Sequence, residues 1–165
     1  MNTFDVFEYE QLYADGRCEM RAGNNTVVLF ETDDAYGKTI IPDDPEMVCR
    51  QFMYDAKTLG LRNEGQYLKD FDILIGVWKT YDFDGNVIEE KDMDEGYPVK
   101  WTDLKGILMA NDIKMEDIQG LSRIKDETNK PLWLVMMKTV LGRREIIRID
   151  AVRGEILQRI TQRIK

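Results

Sequence analysis

The sequence predicts an α+β fold, in which an antiparallel sheet carries two or three helices packed on one face. Segments rich in β-branched and aromatic residues alternate with glycine-containing turns along much of the chain. Two segments, residues 45–59 and 102–111, instead place apolar residues at helical spacing. With 165 residues, 43% of them hydrophobic and 33% charged, the chain is long enough to bury one core.

The first elements along the chain are two predicted strands around the turn at residues 23–25. The acidic segment 32–44 is predicted to be a surface loop. A helix is predicted to follow over residues 45–59, because Asp44 suits the N-cap, Pro45 suits the first turn and Gly60 ends the pattern. Its expected apolar stripe consists of Cys49, Phe52, Met53, Ala56 and Leu59.

A strand over residues 73–81 and a partner strand opened by Val87 enclose the cluster 82–86. This cluster invites comparison with a calcium-binding loop. With Gly85 at the invariant sixth position, Lys91 falls on the twelfth, where a bidentate glutamate is required. Asp, Asn and Gly are also the residues of tight hairpin turns. We therefore expect a turn and no calcium site.

The second half begins with a predicted helix over residues 102–111, with Thr102 as its cap. A further short helical turn is expected at "MEDIQGL". Strands are predicted over residues 121–126, 132–138 and 145–150, whereas the segment from Glu155 fits strand and helix equally well. The three tryptophans, Trp78, Trp101 and Trp133, are expected in or beside the core; Trp101 follows a loop, which leaves room for its partial exposure.

The chain contains no histidine. This excludes Ser-His-Asp and Cys-His catalysis within the chain and argues against most catalytic zinc sites. No glycine-rich phosphate-binding loop is present either, so carboxylate chemistry and a magnesium-type site are what remain open to an enzyme. The two cysteines, Cys18 and Cys49, are too few for a disulfide framework or a zinc site of their own. We expect no cofactor and no metal.

Charge is unevenly distributed along this chain of net charge −8. Residues 31–46 hold six acids against one lysine, and residues 82–95 hold seven acids against one lysine, whereas residues 143–165 carry a net charge of +4. Nucleic acid is therefore a poor partner for most of the surface. A protein with a basic surface is the natural partner, because complementary fields speed encounter.

The sequence indicates no membrane partner, since no apolar run approaches the length of a bilayer span. The first residues, "MNTFDVFEYEQLYADG", carry acids where a signal peptide has basic and apolar regions. Cytoplasmic residence is expected, or periplasmic residence if a leader has been removed.

The ending "WLVMMKTVLGRREIIRIDAVRGEIL" resembles a PepSY-type pair of strands: an aromatic-led strand, a glycine turn and a second strand. Together with "YDFDGNVIEEKDMDEGYPVKWTDLKGIL", it resembles immunity proteins encoded beside polymorphic, Rhs and type VI-associated toxins in Bacteroidota. The resemblance covers roughly residues 70–157 and implies a protein that binds and blocks a toxin. It implies no catalytic residues. We expect a single domain over residues 1–165, with room for an N-terminal lobe over 1–62 and a PepSY-like C-terminal lobe over 66–160.

Three classes of function compete. The first, which we expect, is an immunity protein that is not an enzyme and neutralises a cognate toxin, with a nuclease as the best match for an acidic inhibitor. The second is a PepSY-like module that restrains a protease, which a leader sequence would favour. The third is a carboxylate-based hydrolase, which an acidic pair with perturbed pKa values in a concave pocket would favour.

Partner-binding residues are expected among acids beside predicted turns, exposed and without a structural role. Neutralising such acids costs little stability. One of two groups should supply the contacts: Asp33, Asp34, Asp43 and Asp44, or Asp92, Asp94 and Glu95.

Overall fold

Eleven β-strands and one α-helix make up the described parts of the chain, residues 3–5, 17–43 and 47–164, in a computed structural model. The strands form two antiparallel sheets. The fold is therefore mostly β, and the predicted α+β class with two or three helices on a sheet is wrong. The chain divides into two compact units, Met1–Met93 (unit 1) and Asp94–Lys165 (unit 2). The single domain stays a prediction.

Unit 1 contains a seven-stranded meander in which each strand pairs with the next one along the chain. The outermost strands of this sheet are its first and last, because every connection is a simple hairpin. The strands are β1 (Arg17–Ala22), β2 (Asn25–Glu31), β3 (Ala35–Pro42), β4 (Val48–Asp55), β5 (Leu61–Leu68), β6 (Ile73–Tyr81) and β7 (Val87–Asp92).

The helix predicted over residues 45–59 is wrong, since most of that segment is strand β4. The helical spacing arose because β4 buries residues on both faces of the sheet: Cys49 points to one face, whereas Phe52 and Tyr54 point to the other. The surface loop predicted over 32–44 is also wrong, because β3 occupies most of it and pairs with β2 and β4. The proposed cap residues 44–46 lie outside the described residues.

The main hydrophobic cluster of unit 1 lies on one face of the meander, and its aromatic residues come from the N-terminal segment, β3 and β4. The Phe4 ring stacks on Tyr36 at a centroid distance of 4.8 Å and meets Tyr54 at 5.3 Å. These rings extend a cluster of buried residues on neighbouring strands, which places hydrophobic surface from four strands in contact. The buried members are Phe4, Cys18, Val27, Leu29, Phe52 and Tyr54.

Unit 2 contains helix α1 (Trp101–Ala110), a short 3₁₀ helix (Met115–Asp117) and four strands in the order β11-β10-β9-β8. The helix is confirmed, but its N-cap is Lys100, whose backbone N–H donates to Asp103 Oδ2 at 3.2 Å. The ambiguous last segment is strand β11. The strands are β8 (Ile118–Lys125), β9 (Pro131–Met137), β10 (Arg143–Asp150) and β11 (Ile156–Arg163).

The core of unit 2 is built around Trp133, which is fully buried on β9 and donates its indole N–H to Val99 O at 2.8 Å. Trp101 is also buried, which confirms its expected place in the core and shows no partial exposure. It opens the helix whose Leu104 and Leu108 are fully buried. No helix in the described ranges has the length and apolar character that a bilayer crossing requires.

Asp150 closes the turn between β10 and β11. Its carboxylate accepts backbone N–H groups of Val152 at 2.8 Å and Arg153 at 3.1 Å, and Lys130 Nζ lies 2.8 Å from Oδ2. The hydrogen bond from Lys130, followed by that from Val152, lowers the pKa of Asp150 from 3.8 to about 2. Asp150 is only 1% exposed. Its carboxylate is ionised and holds the turn through these hydrogen bonds.

Acid should therefore destabilise the native chain through Asp150. Between pH 3.8 and about 2 the unfolded state binds this proton and the native state does not, so the free energy of unfolding falls as the pH falls. Urea titrations at several pH values should show the stability advantage of wild type over Asp150→Asn narrowing across this window. A difference between the two proteins that does not change with pH would contradict the assignment.

Candidate functional site

The first predicted group of acids does not come together. Asp33 and Asp34 lie in the exposed turn before β3, where Asp34 Oδ2 is 3.1 Å from Arg62 Nη1. Asp43 lies after the other end of β3, and eight extended residues span about 25 Å. Asp44 lies outside the described residues. These acids therefore lie in at least two separate patches on the surface of unit 1.

Asp43 also has a structural partner. Its carboxylate accepts two hydrogen bonds from the Arg21 guanidinium, at 2.7 and 2.5 Å. The hydrogen bond from Arg21 lowers the pKa of Asp43. Because Arg21 and Asp43 both remain exposed, this pair contributes little stability.

The second predicted group divides between the two units. Asp92 lies on β7 in unit 1 and is exposed, and Glu95 is exposed in a turn of unit 2. Asp94 is buried and forms an ion pair with the guanidinium of Arg123, whose side chain is largely buried. The expectation that Asp94 is exposed and free of structural duty is wrong, because the carboxylate balances a cation in the interior of unit 2.

The guanidinium of Arg123 is held by aromatic rings as well as by the carboxylate. It lies 5.2 Å from the Tyr97 ring centroid and 4.7 Å from that of Trp133. Tyr97 and Trp133 meet edge to face at 6.1 Å, and the Tyr97 hydroxyl donates to Ile124 O at 3.1 Å. This is a structural cluster that fixes the start of unit 2 on its sheet.

The most exposed element of unit 1 is β7, a strand of six residues that are all exposed. Within the described residues β7 pairs with β6 alone. The backbone groups of an edge strand point alternately to its neighbour and outward, so β7 offers hydrogen-bonding groups on its open side. The strand carries two apolar residues, Val87 and Ile88, followed by three acids and one lysine.

The turn that leads into β7 is held by Asp82, which confirms the predicted hairpin turn. The Asp82 carboxylate accepts backbone N–H groups of Asp84 at 2.9 Å and Asn86 at 2.8 Å, and the Asn86 side-chain amide at 3.1 Å. The hydrogen bond from the Asn86 side chain, followed by that from its backbone, lowers the pKa of Asp82. The turn leaves Phe83 at its tip 81% exposed.

We predict that calcium does not bind at this turn. The Asp82 carboxylate is already committed to N–H donors, and Lys91 would place a cation at the position that needs a glutamate. The melting temperature should be the same with calcium and with EDTA. A rise with calcium that disappears in Asp84→Ala would contradict this, because a ligand that binds the native state stabilises it.

A groove of about 380 Å³ lies beside the hairpin tip. The Tyr81 hydroxyl in its wall donates to Glu64 Oε1 at 2.7 Å, which joins β6 to β5. This hydrogen bond raises the pKa of Tyr81 to about 12, so the phenol stays neutral. The lining residues are Gly60, Leu61, Glu64, Tyr81, Asp82, Phe83, Asp84 and Gly85.

The groove unites apolar walls with carboxylates, which suits the binding of a cation better than acid catalysis. A general acid needs a carboxyl that keeps its proton near neutral pH. The pKa of Asp82 moves in the opposite direction because its turn hydrogen bonds favour the carboxylate. Among the described residues, no group of three or more His, Cys, Asp or Glu side chains is placed to hold a metal ion.

Sequence reasoning missed three residues of this surface: Glu64, Phe83 and Ile88. Phe83 carried a signal, since an aromatic residue between two acids in a hairpin turn has no neighbouring strand to cover it. Ile88 precedes four charged residues, so β7 lacks the alternation of a strand with one buried face. Glu64 carried none, because 17 residues separate it from Tyr81 and only the sheet brings them together.

Comparisons of this chain with models of protein families, with curated proteins and with solved structures found no match.

Proposed function

We propose that this chain is a protein-binding inhibitor, an immunity protein that neutralises a cognate bacterial toxin through the β6–β7 hairpin. The observation that carries the proposal is the exposure of this hairpin. Every residue of β7 is exposed, and the two apolar side chains Phe83 and Ile88 are 81% and 64% exposed. The resemblance of residues 70–157 to immunity proteins supplies the biological class.

An edge strand of this kind fits a protein partner. Strand edges are aggregation hazards, and proteins guard them with charges or use them to bind extended segments of other chains. The charged residues of β7 keep the free chain soluble. A large exposed aromatic residue at the tip is the type of side chain that anchors protein interfaces.

The charge of the hairpin favours a basic partner. Exposed acids surround Phe83 and Ile88, including Asp84, Glu89 and Asp92. Such a field attracts a cationic protein and raises its association rate. A nuclease toxin presents a cationic cleft for its phosphate substrate, and an acidic hairpin placed in that cleft would exclude the substrate.

The test uses the purified protein encoded by the reading frame next to this chain's gene. Phe83→Ser combined with Ile88→Ser should weaken binding at least about thirtyfold, the effect of losing a hot spot worth about 2 kcal/mol. Isothermal titration calorimetry measures the affinity and a toxicity assay measures neutralisation. A double variant that binds like wild type, or a neighbour that does not bind the wild-type chain, would contradict the proposal.

We also expect salt-dependent association. Glu89→Gln combined with Asp92→Asn should slow association at low salt and leave dissociation nearly unchanged, since exposed charges act mainly before docking. Stopped-flow measurements at two salt concentrations check this. The matched control is Asp33→Asn combined with Asp34→Asn, which removes the same charge from the turn before β3. If the control slowed association more than the β7 variant, the partner would contact the first predicted group of acids instead of β7.

A further inference from the structure

We infer that the groove beside the hairpin tip receives an arginine side chain of the protein partner. This inference rests on the proposed function and gives the partner's contact residue its chemistry. Two kinds of wall carry it. Leu61, Tyr81 and Phe83 supply apolar and aromatic surface, and the carboxylates of Glu64, Asp82 and Asp84 supply negative charge.

The acids and the rings of the groove are complementary to a single kind of side chain. The eight lining residues, all within the described part of unit 1, include three acids and no base. A long side chain with an apolar stem and a cationic head would place its stem on Leu61 and its head among the carboxylates. A neutral apolar side chain would desolvate these carboxylates without compensation.

Glu64 is placed to orient the cation. Its Oε1 accepts the Tyr81 hydroxyl at 2.7 Å, and this bond fixes the carboxylate on the sheet. The second oxygen can then accept from a guanidinium. Asp82 adds charge from the turn, where its hydrogen bonds to backbone N–H groups keep it ionised.

Arginine fits this groove better than lysine. Its planar guanidinium stacks on aromatic faces and donates two parallel hydrogen bonds to a carboxylate, whereas an ammonium group is compact and strongly hydrated. The same chain already uses this combination in unit 2. There the Arg123 guanidinium is held between the Asp94 carboxylate and the rings of Tyr97 and Trp133.

The experiment is an NMR titration of the ¹⁵N-labelled full chain with N-acetyl-arginine amide. Saturable shifts should occur at the backbone amides of Gly60, Leu61 and Gly85, which line the groove. N-acetyl-citrulline amide has nearly the same shape without the charge and should produce much smaller shifts. N-acetyl-lysine amide, with a free ammonium group, should bind more weakly than the arginine probe.

Two variants test the residues that carry the inference. Glu64→Gln and Phe83→Ala should each weaken binding of the arginine probe at least about tenfold, as expected for the loss of a charge-assisted hydrogen bond or a ring contact. Glu116→Gln removes an exposed charge from unit 2 and should leave binding unchanged. Equal shifts with the citrulline probe, equal affinity for the lysine probe, or wild-type affinity in Glu64→Gln would overturn the inference.

Failure of this inference can be told from failure of the proposed function. If the Phe83 and Ile88 double variant loses the toxin while Glu64→Gln retains wild-type affinity for it, the hairpin binds the toxin and the groove does not take its arginine. If the arginine probe binds in the groove but no toxin binds the chain, the groove is a cation site and the inhibitor function is wrong.

Discussion

Replacement of Asp94 by alanine is expected to lower the free energy of unfolding by about 3–5 kcal/mol, the cost of removing one partner of a buried ion pair. The side chains of Asp94 and Arg123 are 6% and 12% exposed, so water reaches the abandoned guanidinium poorly. The cation would also stay between Tyr97 and Trp133, whose packing depends on its position.

Urea denaturation followed by tryptophan fluorescence measures this effect, because Trp133 forms part of the affected cluster. Glu95→Ala is the matched control: it removes a neighbouring acid that is exposed, and it should change the stability by less than about 0.5 kcal/mol. If Asp94→Ala instead kept its stability and lost toxin binding, Asp94 would be a contact residue and its structural assignment would be wrong.

The second large effect is expected for Phe52→Ala, which should destabilise the chain by about 3–5 kcal/mol through loss of buried area and the cavity left behind. Phe52 is 8% exposed on β4 and belongs to the core cluster of unit 1. The guanidinium of Arg50 lies 5.2 Å from its ring centroid and covers it from the outside. Truncation would therefore open the core of unit 1 to solvent.

Circular dichroism during urea denaturation measures this change. Phe83→Ala is the control, because it removes the same ring from a position that is 81% exposed. The two variants should separate the expected roles of the rings: Phe52→Ala should lose stability, whereas Phe83→Ala should keep its stability and, under the proposed function, lose affinity for the partner. A stable Phe52→Ala protein that no longer binds the proposed partner would place Phe52 at the interface instead.

The residues of the candidate surface show which functional signals a sequence can carry. The turn at 82–86 was predictable, because its Asp, Gly and Asn residues have strong local preferences that need no tertiary partner. The role of Asp94 was not predictable. A carboxylate beside exposed acids looks like one of them until Arg123, 29 residues later, is placed against it.

The sequence by itself determined the hairpin turns at residues 23–25 and 82–86, helix α1 and many of the buried positions. Phe52 and Cys49 were expected to be buried and are buried, although the element around them was assigned as a helix. Only the tertiary structure decided that element. Pairing with β3 and β5 satisfies the backbone hydrogen-bonding groups of β4 along both of its edges. Both faces of this strand are also partly covered by other residues. A strand with two partly buried faces loses its simple alternation, so its apolar spacing can imitate a helix. The groove beside the hairpin tip was likewise decided by the pairing of β5 with β6, which brings Glu64 beside Tyr81. Local sequence favours the conformation of each strand, but it does not determine which residues a neighbouring strand places beside it.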